Sequence, residues 1–273
     1  MNDGSDLAII SGSGNLPLLI KKSFKKATYI TFNKSEKKLP VNNVVKCEFE
    51  KLGSLFDSLK KNGISRIVMA GAISRPQIQQ SKMDDYTKSI MPTLSGKLVQ
   101  GDNELLSFIA REFEQNGYKI VGASDIMPDL VLKPGFAHGT PYRSIQRDVK
   151  KADKVLKILS SEDIGQGVVV ENGLVLGIET LQGTNELLKF VGKTSSHLRI
   201  TGAGGVFVKR PKANQNLQFD MPVIGPETIN LACSAGLRGL VVSPLSVIVL
   251  DQKKCLQIAK ANNFFILAKD LTN

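Results

Sequence analysis

Apolar residues in the first half of the chain follow two alternating rhythms. Short, nearly continuous runs read as buried strands: LAII at Leu7–Ile10, TYITF at Thr28–Phe32, RIVMA at Arg66–Ala70 and YKIVGA at Tyr118–Ala123. Between them apolar side chains return at helical spacing, first at Leu16, Leu19, Ile20 and Phe24, then at Leu52, Leu55, Phe56 and Leu59, then at Leu105, Ile109 and Phe113. Gly63 and Gly117 stand where the last two helices should end, because the left-handed backbone that closes a helix favours glycine. Strands alternating with helices imply a parallel sheet covered on both faces. Residues 1–130 therefore predict a Rossmann-like domain of the α/β class.

The rhythm lapses between Met127 and Arg143, in MPDLVLKPGFAHGTPYR. Its density of Pro and Gly predicts an interdomain linker over 131–144. Ile145–Leu159 then reads as an amphipathic helix studded with lysines, and 145–273 as a mixed α+β domain. Asn172-Gly173 between two apolar runs is a strong hairpin signal, since both turn positions need positive φ. Thr184 or Asn185 can cap a short helix through Phe190, GVFVK reads as a strand, and Pro226 opens a helix that Gly236 closes. LVVSPLSVIVLD reads as a second hairpin, and a helix followed by FFILA finishes the chain.

Composition narrows the function. At 273 residues the chain suits two domains of ordinary size, and no run of about twenty apolar residues predicts a membrane span. The start, MNDGSDLAII, lacks the basic-then-apolar plan of a signal peptide, so the expected location is cytoplasmic. The three cysteines are far apart without CxxC spacing; Cys233 and Cys255 fall in helical patterns and read as core packing. The net charge of +11 comes mostly from lysines on polar helix faces, which predicts a solvated surface with weak attraction to a membrane surface. No aromatic interleaving or recognition motif accompanies it, so nucleic acid is not the expected partner. His138 and His197 are too few for a two-metal phosphoesterase centre, and no Nudix box, GxSxG, HExxH or GxxxxGK[ST] occurs.

Several loops carry candidate chemistry. Gly12-Ser13-Gly14 follows a strand and precedes a helix, so its N–H groups can face a phosphate; it serves equally well as a tight turn without a ligand. Pro17 and Asn33 occupy places where a dinucleotide fingerprint wants a glycine and an acid, which argues against NAD. The segment Gly71–Pro76, with Ala72 and Arg75, the triplet Gly101-Asp102-Asn103, and Gly122-Ala123 all stand at strand ends or helix starts, where a ligand crevice can form. Asp102 is first an N-cap, and as a cap at a crevice rim it can also meet a ribose hydroxyl. In the second half, DIGQG at Asp163–Gly167 precedes ETLQGTNE at Glu179–Glu186. Glu179 is either a carboxylate for a cation or water or an edge charge; Gly183 and Thr184 form either a phosphate-binding helix start or an N-cap. Lys209, Arg210 and Lys212 lead to Asp220 at a rigid bend before Pro222. Cations there suit phosphate oxygens, and the carboxylate suits a divalent cation, a water, or a salt bridge to Arg210 or Lys212.

Taken in this order with GSGNLP at Gly12–Pro17, these segments resemble the LpxI-type UDP-2,3-diacylglucosamine pyrophosphatases of bacterial lipid A biosynthesis, over nearly the whole chain. Family members commonly carry a glycine where Ser13 stands, a small departure if the N–H is what binds. The resemblance implies hydrolysis of the substrate diphosphate to UMP and 2,3-diacylglucosamine 1-phosphate, with Mg²⁺ or Mn²⁺ as cofactor. It implies Asp220 as the catalytic residue of a cation-dependent hydrolysis and a substrate cleft that includes Gln166 and Gly167; beside it, the residues offer Asp220 and Glu179 as the carboxylates to ligate the cation or position the water. Gly12, Ser13, Gly14, Ala72, Gly101, Asp102, Gly122, Gly183, Thr184, Lys209 and Lys212 complete the expected substrate site, with the nucleotide on the first domain and the chemistry on the second. The alternative is a nucleotide-sugar-binding protein without catalysis; a homo-oligomer stays open.

Overall fold

The computed structural model describes residues 3–32, 41–72, 78–98, 102–194, 196–199 and 204–271, without the side chains of 98, 102 and 103. Arg75, Gly101 and the Asp102 and Asn103 side chains therefore lie outside the described residues. The chain divides into two units, Met1–Pro128 with Asn216–Asp220, and Asp129–Gln215 with Met221–Asn273.

Unit 1 carries β1 (Leu7–Ser11), α1 (Leu16–Ser23), β2 (Thr28–Thr31), β3 (Val44–Lys46), α2 (Leu52–Lys61), β4 (Arg66–Ala70), α3 (Asp85–Leu98), α4 (Asp102–Gln115), β5 (Lys119–Ile120) and the short α5 (Ala123–Ile126). Its five-stranded sheet has the order β3-β2-β1-β4-β5, every described pairing being parallel. β1 and β4 are buried on both faces, which is why they read as continuous apolar runs. Leu55, Phe56 and Leu59 of α2 and Phe113 of α4 pack on Ala8, Ile10, Ile67 and Ile120, giving one face of the sheet its core. Each such buried side chain contributes roughly 1.5–3 kcal/mol. Two elements break the expected pattern. α3 runs through an internal Pro92, and β3 is three residues long, so neither carries a clear periodic signal.

Unit 2 carries β6 (Ala137–His138), α6 (Ile145–Ser160), β7 (Gly167–Glu171), β8 (Leu174–Ile178), α7 (Thr184–Gly192), β9 (Val206–Lys209), β10 (Val223–Ile224), α8 (Pro226–Ser234), β11 (Gly239–Val242), β12 (Ile248–Val249), α9 (Gln252–Ala261) and β13 (Phe265–Ala268). Its six-stranded sheet is mixed, in the order β6-β13-β11-β9-β7-β8. β13, β11 and β9 run parallel, whereas β6, β7 and β8 are antiparallel to their neighbours. Val169 and Phe207 face a core built with α7, α8 and α9; Val168, Val170, Val206 and Val208 face the other core, built with α6. The sheet is therefore covered on both sides by helices.

The hairpin at Asn172-Gly173 joins β7 to β8 as expected, both residues having positive φ. Its two N–H groups donate to the carboxylate of Asp148, which is fully buried on α6 and also accepts from the Tyr142 hydroxyl. Two expectations are corrected here. The segment 131–144 includes β6, paired to β13, so its Pro and Gly residues mark turns around an edge strand inside unit 2. LVVSPLSVIVLD forms no hairpin: β11 is flanked by β9 and β13, and β12 pairs in parallel with β10. Its two apolar runs are buried on all sides, the signature of parallel strands.

Candidate active site

In unit 1 the strand order changes direction between β1 and β4, and an open α/β sheet holds its ligand outside the carboxyl ends of the strands at such a point. The loops leaving these two strands are Gly12–Gly14 and Gly71-Ala72, and they cross in contact. Gly12 N–H donates to the Ala70 carbonyl at 2.7 Å, Ser13 N–H to that of Ala72 at 2.7 Å, and Ala72 N–H back to that of Ser13 at 3.2 Å. The Ser13 hydroxyl also donates to Ala72 O. A Cβ on Gly12 would overlap the Ala72 carbonyl, and one on Gly71 the Ser13 carbonyl, so the crossing requires both glycines. The Gly12 and Ser13 N–H groups thus hold the end of β4 and the loop that follows it. Gly14, with nothing within 4 Å of an added Cβ, is the loop residue that faces open space.

Asp220 reaches the same sheet from far along the chain. Asn216–Asp220 group with unit 1, although the residues on either side belong to unit 2. Phe219 packs on the apolar cluster that contains Ile10, Ile30 and Ile120. Gln218 Cα lies 3.5 Å from where a Cβ on Gly122 would stand, just beyond β5. Asn216 holds the bend: its side-chain oxygen accepts from Gln218 N–H at 2.9 Å and its carbonyl from Asp220 N–H at 2.9 Å. Gly122 and Asp220 are thus brought to the carboxyl edge of unit 1, on the opposite unit from the one expected for the chemistry.

Unit 2 gathers the other motifs. β7 lies between β8 and β9, with Gly167 opposite Lys209 and accepting from Glu179 N–H at 2.8 Å. Because Gly167 has no side chain, Glu179 and Lys209 meet across it; a Cβ there would come within 2.5 Å of Glu179 Oε2 and 2.6 Å of the Phe207 ring. Lys209 Nζ donates to Glu179 Oε1 at 3.1 Å and Oε2 at 2.8 Å, and to Thr184 Oγ1 at 2.7 Å. Thr184 Oγ1 donates in turn to Glu179 Oε2 at 3.0 Å. The Lys209 side chain is 2% exposed and that of Glu179 10%. Gly183 stands at the N-cap of α7 with Thr184 as its first residue, so the buried triad fixes the start of this helix.

An ammonium has three donors, and all three of Lys209 are engaged. In this structure the Lys209 ammonium is engaged by Glu179 and Thr184, and the Glu179 carboxylate by Lys209 and Thr184, so the two side chains hold one another. Arg210 pairs with Asp153 at 2.5 Å and Lys212 with Asp163 at 2.7 Å, so each has a carboxylate partner other than the Asp220 that the sequence left open. Arg210 N–H also donates to Gln166 O at 3.0 Å, tying DIGQG to the strand end. Of these cations Lys212 is the more accessible, its side chain 22% exposed and that of its partner Asp163 55%.

No group of three or more His, Cys, Asp or Glu suited to a metal ion occurs among the described residues. Mg²⁺ needs no such cage, since it is commonly held by one or two carboxylates together with substrate phosphates and water. A single carboxylate such as Asp220 suits that pattern, whereas Glu179 is engaged by Lys209 and Thr184. Burial pushes the thiols of Cys47 and Cys255 up to about 12 and that of Cys233 to about 11, which makes them poor nucleophiles. No helix among the described residues is long and apolar enough to cross a membrane.

Two family domains match the chain in succession. Residues 6–130 match the LpxI N-terminal domain and residues 134–267 the LpxI C-terminal domain. The chain is 33% identical over 221 residues to the UDP-2,3-diacylglucosamine pyrophosphatase LpxI of Caulobacter vibrioides, covering 80% of this chain and 79% of that protein. With both of its units matched in order, the chain belongs to the LpxI family.

Proposed function

We propose that this protein hydrolyses the diphosphate of UDP-2,3-diacylglucosamine, releasing UMP and 2,3-diacylglucosamine 1-phosphate. The observation that carries the reading is the match of both units to the LpxI domains, together with a named pyrophosphatase as relative. Diphosphate hydrolysis requires negative charge to be neutralised on the transferring phosphoryl group and a water to be held in line. Asp220 is the carboxylate suited to this chemistry, because it can orient the water or, with the substrate's own phosphate oxygens, hold Mg²⁺ or Mn²⁺. The cation would supply charge neutralisation at the phosphoryl oxygens. Gly14, Ala72 and Gly122 line the unit 1 edge that receives the nucleotide, and Lys212 offers positive charge to phosphate. Lys209 and Glu179 act indirectly by fixing Gly183 and Thr184 at the start of α7. The acyl chains keep the substrate at the inner-membrane surface, and the exposed Leu181 and Phe190 of unit 2 support contact there.

The test is UMP release by the purified protein. Asp220→Ala should lower kcat by roughly 10² or more with little change in KM, as for loss of a positioned catalytic group. Excess EDTA should stop turnover and added Mg²⁺ restore it. Wild-type turnover by Asp220→Ala would remove this residue from the mechanism. Substrate retention without UMP release by the wild-type protein would make it a nucleotide-sugar-binding protein instead.

A further inference from the structure

We propose that Phe219 is a positioning residue for Asp220, its ring acting as the anchor that sets where the carboxylate stands at the carboxyl edge of the unit 1 sheet. The inference rests on the reading of Asp220 given above. Unit 2 loses the chain after Gln215 and regains it at Met221, and the five residues between group with unit 1. A short excursion of this kind needs an attachment, and Phe219 supplies it by packing on the cluster of Ile10, Ile30, Phe56 and Ile120. Asp220 is the next residue, its Cα about 3.8 Å away, so any slack in the ring passes directly to the carboxylate. The remaining contacts point the same way. Asn216 closes the bend through its side chain to Gln218 and its carbonyl to Asp220, and Gln218 lies against Gly122. None of these groups need touch substrate; together they determine the position of the one that does.

The experiment measures UMP release by full-length wild type, Asp220→Ala, Phe219→Ala, Phe219→Leu and the double variant Phe219→Ala/Asp220→Ala, each after its melting temperature is recorded. Phe219→Ala should lower kcat by about 10- to 100-fold, the scale of an ångström misplacement of a catalytic group, with KM changed less than about twofold. Phe219→Leu, which refills the site with an apolar side chain, should recover most of the loss. In the Asp220→Ala background, removing the ring should have no further effect on kcat, because Phe219 acts through Asp220. Wild-type kcat in Phe219→Ala alongside impaired Asp220→Ala would overturn the positioning role alone. Wild-type turnover in Asp220→Ala would overturn both this proposal and the reading beneath it. If Phe219→Ala does not fold, Phe219→Leu and Asn216→Ala carry the test, and wild-type kcat in both would overturn it.

Discussion

Replacing Glu179 by glutamine should destabilise unit 2 far more than a single charge change normally does. The carboxylate faces an ammonium that is 2% exposed and bonded to it at 2.8 and 3.1 Å. An amide keeps the volume and one acceptor but removes the countercharge, leaving a buried cation with only neutral partners, the amide oxygen and the Thr184 hydroxyl. Removing one member of a buried ion pair costs about 3–5 kcal/mol, a large fraction of the 5–15 kcal/mol that typically holds a domain together. For a unit of this size the melting temperature should fall by on the order of 10 °C.

The companion variant is Glu179→Met/Lys209→Met. With both charges gone the site holds apolar side chains of similar volume, an exchange that is often neutral or stabilising. The Thr184 hydroxyl loses its partners, which costs about 1–3 kcal/mol. The double variant should therefore lie within about 3 kcal/mol of wild type and above Glu179→Gln. Calorimetry on the full chain can follow the unit 2 transition by itself, since a two-unit protein need not unfold in one step. A loss below about 1 kcal/mol in Glu179→Gln would refute the reasoning, because the pair would then be screened like a surface one. UMP release adds a second reading. All donors of Lys209 are engaged, so the double variant should keep turnover where it keeps stability; a stable but inactive double variant would return Lys209 to the phosphate.

Two further outcomes follow from unit 1. Gly12→Ala should lower its stability by about 2 kcal/mol or more, because the added Cβ meets the Ala72 backbone, whereas Gly14→Ala, in open space, bears only the roughly 1–2 kcal/mol of a left-handed non-glycine residue; equal melting temperatures for Gly12→Ala and wild type would refute the crossing. Arg66 donates two hydrogen bonds to Asp6, at 2.7 and 2.8 Å, and holds its carboxyl at about 2 against an ordinary value of 3.8. A depressed folded-state value contributes stability that is present above about pH 4 and lost as pH falls towards about 2. With Asp6 about a third exposed the contribution is screened to about 1 kcal/mol or less, and Asp6→Asn should flatten the melting temperature over that window; an unchanged slope would refute it.

Much of unit 1 was readable because its signals are local. LAII and RIVMA are buried on both faces and so are continuously apolar, and the helices of Leu55 and Phe113 show one-sided periodicity. Asn172-Gly173, in unit 2, likewise specifies its own turn. The unread parts depend on partners chosen elsewhere. β6 is two residues long and exists by pairing with β13, and β12 looks like half a hairpin until β10 takes it. α3 hides behind Pro92.

The site divides in the same way. DIGQG, ETLQGT and KRPK were recognisable as polar, glycine-marked segments, and the structure does bring them together. The pairing of Lys209 with Glu179 was not legible, because a cation after a strand looks alike whether it meets a phosphate or a carboxylate. One signal was available: a glycine beginning a strand, with an acid and a base at the ends of two other strands, permits the two charges to meet across it, as Glu179 and Lys209 meet across Gly167. Asp220 had no comparable signal. The segments on either side of Asn216–Asp220 belong to unit 2, and it is the packing of Phe219 and the approach of Gln218 to Gly122 that tie these five residues to unit 1. A phenylalanine beside a single acid in a polar loop reads as nothing in particular until its cluster is known. That asymmetry has a physical basis. Periodicity reports which face of an element is buried, whereas the attachment of a loop depends on the shape of a distant apolar surface, which local sequence does not encode.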